Sequence, residues 1–216
     1  MLTFTSREKK IFRSLDTPSK IQNFLNRIPY NFEPYRETCL SPRLVLKQKR
    51  AHCIEGAMLA ATILRFHGHR PLLVDLTTND RDKDHVIAVF QRFGHWGAIS
   101  KTNYAVLRYR EPIYRSIREL VMSYFHEYFL DNGEKTLRSY SLPINLAKFD
   151  KEKWMSTESD VWYIYDHLFD VKHYPILSRS QLAALRLAEP IERKIGKIKE
   201  WDRLKVVPQQ KLCLKI

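Results

Sequence analysis

The chain has 216 residues, is 44% hydrophobic, and carries 37 Lys and Arg against 24 Asp and Glu, a net charge of +13. A hydrophobic fraction of that size with only six glycines excludes a disordered polymer and is enough to bury one sizeable core. No apolar run approaches the roughly 18 residues of a membrane helix, and Cys39, Cys53 and Cys213 are too scattered for a disulfide framework or a CxxC metal pair.

The N-terminal stretch MLTFTSREKKIFRSL is charged and amphipathic and lacks the apolar core of a secretory signal, so a cytoplasmic, reducing compartment is expected. Residues 6–14 form the first short helix. Thr17-Pro18 is an N-cap followed by proline at the first helical position, opening KIQNFLNRI with the stripe Ile21, Phe24, Leu25 and Ile28. IPYNFEPYRETCLSPR is a proline-punctuated loop. A helix follows from about His52 to Phe66, apolar on most sides as a buried central helix is, and Gly68 suits its C-terminal cap. RPLLVDL, HVIAVF and HWGAIS read as strands, the last two joined by QRFG as a hairpin, with YAVLRYR as a fourth strand.

The helical period returns over 114–130 and stops at Asp131-Asn132-Gly133, and SYSLPINLAKFD reads as irregular. A capped helix starts near Ser156, with Trp162, Tyr165 and Phe169 assigned to the core. Helices over about 179–188 and 190–201 follow. The expected architecture is α+β: one domain over 1–205, with a core at about 40–112, a helical part at 113–205, and a tail at 206–216.

The stretch from Arg50 to Asn103 carries the chemistry. Cys53 opens the central helix, where unpaired N–H groups and the helix dipole favour a thiolate and offer oxyanion donors. His85 opens a strand and shares a face with Ile87 and Val89, which turns Asp84 away from it. Ser100 ends the next strand, and hairpin pairing brings it near His85. Each residue alone has a plainer reading: a small core cysteine, a structural histidine, a turn serine. DRDKD at 80–84 spaces three aspartates as in a calcium loop, but the sixth position is His85, not glycine, and the twelfth is Gln91, not glutamate. The other histidines form no tight ligand set, so no metal or cofactor is expected. The positive charge is spread over the chain, which makes nucleic-acid binding a minor alternative.

Taken in order, these residues resemble the transglutaminase-like core, a branch of the papain-like cysteine enzymes. The resemblance rests on Cys53 before the AMLAATIL run, Gly68 and Pro71 before LLVDL, His85 in DHVIAVF, and Trp96 in HWGAISKTN. Ser100-Lys101-Thr102 stands where the family has Asp-Pro-Thr. It implies a papain-like fold, a central helix packed on a small antiparallel sheet. It also implies a cysteine hydrolase or acyltransferase acting on a peptide, isopeptide or other amide. In that reading Cys53 is the nucleophile, His85 the base and Ser100 the orienting group, with Asn103 as a fallback orienter and Gln48 as an oxyanion donor. Serine carries no charge to stabilise an imidazolium, so the departure at Ser100 also leaves open a weak or inactive papain-like fold that binds a protein or an anionic partner.

Overall fold

A computed structural model describes residues 4–202. The chain begins with three short helices, α1 (Ser6–Ser14), α2 (Pro18–Asn26) and α3 (Pro42–Gln48), ahead of the central helix α4 (Cys53–Phe66). Thr5 and Glu8 close a capping box on α1, and the Thr17 and Ser41 side chains cap α2 and α3, each of which has proline in its first turn. Proline-bearing SPR therefore starts a helix of its own rather than ending a loop.

β1 (Leu72–Thr78), β2 (His85–Arg92), β3 (His95–Ser100) and β4 (Arg110–Tyr114) follow as an antiparallel meander. Phe93 and Gly94 make the β2–β3 turn with φ of 55° and 75°, the left-handed pair that matches strand twist in a tight hairpin. The fourth strand is displaced from the expected YAVLRYR. Residues 104–109 are a loop, because Leu107 sits at φ 60° and breaks the extended run.

The expected helix over 114–130 is reduced to α5 (Ile117–Met122) and a 3-10 turn at Phe125–Glu127. The part expected to be helical supplies three more strands to the same sheet: β5 (Leu137–Ser141), β6 (Ile144–Asn145) and β7 (His173–Pro175). They lie in the order β4-β3-β2-β1-β5-β7, with β6 pairing the start of β1. SYSLPINLAKFD is therefore two strands and a 3-10 helix. Its Pro143 falls between strands, where no ladder N–H is needed. α6 (Trp162–Asp170), α7 (Arg179–Ala183) and α8 (Pro190–Gly196) complete the described chain. The expected tail at 206–216 lies outside the described residues.

Both faces of the sheet are covered. Leu73, Val86, Ala88, Phe90 and Ile99 pack with α4 and α2, and Val74, Leu76, Ile87, Val89 and Ala98 pack with Leu120, Val121 and Tyr124. That is why these strands read as continuous apolar runs rather than as an alternation. The aromatic stripe of α6 is not core. Ile164 and Leu168 face inward, and Phe169 is 75% exposed. No helix among the described residues is long and apolar enough to cross a membrane.

Candidate active site

Cys53 is the first residue of α4, is partly exposed, and forms no disulfide. Its thiol is hydrogen-bonded by two imidazoles, those of His52 and His85. Burial, the largest single influence, raises the thiol. The two imidazoles more than offset it and hold the group well below the usual thiol range.

His85 opens β2 and is buried. The β2–β3 register pairs Ile87 with Ser100, so Ser100 lies on the face of His85 and diagonally across from it. Ser100 Oγ is 2.7 Å from His85 Nε2 and 2.5 Å from the Leu107 carbonyl oxygen, to which it donates. A hydroxyl has one proton. With that proton on Leu107, Ser100 accepts from Nε2–H, so Nδ1 is the ring nitrogen left to exchange a proton with the Cys53 thiol. The backbone of Ser100 is fixed as well. Gln22 of α2 accepts from its N–H at 2.9 Å and donates to its carbonyl at 2.8 Å, as a neighbouring strand would. Leu107 is held by its own N–H, which donates to Glu127 at 2.7 Å. Asp84 is bonded to the Thr78 backbone and hydroxyl, away from the ring.

His52 is the N-cap of α4. Its Nε2 lies 2.9 Å from the Thr38 carbonyl and 3.3 Å from Glu55, three residues along the chain. Burial works against a charged ring here, but bonds to Cys53 and Glu55 prevail and raise His52 to about 11. Glu55 is fully buried and fully used. It accepts from Leu40 N at 2.9 Å, Thr38 Oγ1 at 2.7 Å, His52 N at 2.9 Å and the Asn31 amide at 3.1 Å. Burial raises this carboxyl, and His52 together with the backbone donors brings it below its ordinary value. The proline-rich loop at 29–41 is thus wound around one carboxylate.

Sequence reasoning passed over His52 and Glu55. The available signal was an acidic residue inside CIEGAMLAATIL, since a charge in so apolar a helix requires partners. Asp75 in LLVDL gives the same signal. It is buried and paired with His173 at 3.0 Å, and burial raises its carboxyl. Asn103 does not orient His85. Its amide is engaged at both ends by the Trp201 backbone, at 3.1 and 2.9 Å, and therefore ties down the C-terminal segment. Gln48 ends α3, and its side-chain carbonyl accepts from the Arg50 guanidinium at 2.9 Å. In the aspartate-rich loop, Asp82 accepts from Thr136 and Asp84 from Thr78. Among the described residues no group of three or more His, Cys, Asp or Glu is placed to hold a metal ion.

The arrangement can ionise a thiol, move a proton at His85 Nδ1, and present helix N–H groups to a developing oxyanion. No family model matches this chain, and no curated protein sequence does.

Proposed function

We propose that this protein is a transglutaminase-like cysteine hydrolase or acyltransferase acting on peptide, isopeptide or other amide bonds. The observation that carries the reading is the relay His85 Nε2–H to Ser100 Oγ to the Leu107 carbonyl, which commits Nε2 and leaves Nδ1 of His85 to act on a cysteine at a helix N-terminus. The Cys53 thiolate attacks the amide carbon, a C–S bond forms, and the oxyanion meets the first N–H groups of α4. The C–N bond then breaks as His85 passes to the leaving amine the proton that its Nδ1 took from the Cys53 thiol. Water, or a second amine, attacks the thioester. His85 takes its proton, and Cys53 leaves as thiolate.

His52 has a different role in this scheme. It stays an imidazolium, held by Glu55, and supplies the positive charge that keeps the thiol ionised. The negative charge absent from Ser100 enters the site at Glu55, through the other histidine.

The test is acylation of Cys53 by an activated ester, followed by intact mass. A stoichiometric adduct that turns over in wild type and is absent in Cys53→Ala is expected. His85→Ala is expected to slow acylation by about 10²-fold or more. An unmodified Cys53, or acylation indifferent to His85, sinks the enzyme reading and leaves a papain-like fold that binds its partner.

A further inference from the structure

One concave site shares no residue with the Cys53 cluster. It lies between α1, α2 and α3 and encloses about 590 Å³, within the usual range of roughly 300–1,000 Å³ for small-ligand clefts. Its floor is apolar: Ile11, Leu15, Phe24, Ile28 and Leu46. Its rim is cationic, with Arg7, Lys20, Arg27, Arg43, Lys47 and Lys49 against only Glu8 and Glu158.

Both carboxylates are already engaged, Glu8 by Arg43 at 2.8 Å and Glu158 by Lys47 at 3.2 Å. Lys20 has Asp16 at 2.8 Å. Arg7 and Arg27 are exposed and form no ion pair among the described residues.

The two halves of this lining select different parts of one ligand. The floor favours hydrocarbon, whose burial removes apolar surface from water on both sides. A cleft with low-dielectric walls and a one-sign rim concentrates the field and attracts an anion. An inorganic anion leaves the floor wet, and a cationic or neutral amphiphile gains nothing at the rim. The undescribed ends of the chain do not suit it either. Residues 1–3 are Met-Leu-Thr, and residues 203–216 carry Arg203, Lys205, Lys211 and Lys215 with no acidic side chain, the same sign as the rim.

We propose that the α1–α2–α3 groove binds a single-chain anionic amphiphile, with its tail on Ile11, Phe24 and Leu46 and a carboxylate or phosphate head between Arg7 and Arg27.

The experiment uses the full chain and calorimetry below the micelle concentration, with dodecanoate, dodecyl phosphate, dodecyltrimethylammonium and inorganic phosphate as separate probes. Both anionic chains are expected to bind, their ratio distinguishing a carboxylate from a phosphate head. The cationic chain is expected to bind at least about tenfold more weakly, and phosphate alone not at all. Arg7→Glu with Arg27→Glu, both at the surface, is expected to weaken the anionic chains by about tenfold or more. Amide shifts on titration are expected in α1–α3. Equal affinity for the cationic chain, indifference to the double charge reversal, or shifts centred elsewhere overturns the proposal. So does tight binding of an acidic helical peptide while dodecanoate fails, which reassigns the groove to a protein partner.

Discussion

In the proposed transglutaminase-like reading Ser100 takes the place of a carboxylate, and its hydroxyl donates to the Leu107 carbonyl at 2.5 Å. An acceptor already occupies the far side of the site, so the residue must donate to it while accepting from His85. Aspartate cannot donate. Ser100→Asp is therefore expected to lower stability by about 1–3 kcal/mol in urea unfolding and not to raise the acylation rate. Faster acylation in Ser100→Asp refutes the tautomer assigned to His85. The charge on His52 makes a second prediction. Its folded value is raised to about 11, so its contribution is complete below its unfolded value of 6.5 and is lost as pH rises through about 11. The stability difference between wild type and His52→Ala should shrink across that window. Iodoacetamide alkylation of Cys53 should rise at lower pH in wild type than for an ordinary thiol and shift to higher pH in His52→Ala.

At the scale of elements, the site is held by contacts between segments distant in sequence. Glu55 is the link between α4 and the loop ahead of it. Glu55→Ala removes the carboxylate shared by Leu40 N, Thr38 Oγ1 and a charged His52, and is expected to cost about 3–5 kcal/mol in chemical unfolding. Lys101 links α2 to the end of β3. It is 1% exposed, its ammonium donates to the carbonyls of Leu25 and Ile28 at the C-terminal end of α2, and its stem crosses α4 at Gly56. A Cβ on Gly56 falls 2.4 Å from Lys101 Cβ, so Gly56→Ala should destabilise by about 1–3 kcal/mol. Burial lowers Lys101 to about 8 from 10.5. A folded state that binds this proton less readily than the unfolded chain gains stability as pH rises from about 8 to 10.5. Lys101→Met removes that gain, and the difference between the two unfolding curves over this window measures it.

For the molecule as a whole, one sheet gathers strands from both halves of the chain, and the C-terminal segment closes on the loop after β3. Ala105 N donates to Ile198 O, Glu200 N to Asn103 O, and Asn103 holds Trp201. Asn103→Ala is expected to speed amide exchange at Trp201, where the acceptor is lost, while leaving Cys53 alkylation at the wild-type rate. A slowed alkylation instead would assign Asn103 to the His85 ring. The sequence was informative where structure is local. α4, the first three strands and the β2–β3 hairpin follow from apolar runs and turn residues, and the hairpin register alone brings Ser100 to His85. It was uninformative for β5–β7, whose short half-buried runs lack a clear period, and for Trp162, Tyr165 and Phe169, where a helical apolar stripe lies on the exposed face of α6.

The sequence by itself determined Cys53 at a helix start and His85 at a strand start, because caps, periodicity and a tight turn act over a few residues. Tertiary structure decided the rest of the site. The second imidazole depends on a loop closing on Glu55, the direction of the Ser100 hydroxyl on the positive φ that aims the Leu107 carbonyl, and the role of Asn103 on a segment nearly a hundred residues away. Hydrogen bonds between such distant groups leave no period in the chain. The local trace they do leave is a charged or polar residue in an apolar run, as at Glu55 and Asp75, which marks the need for a partner without saying which partner meets it.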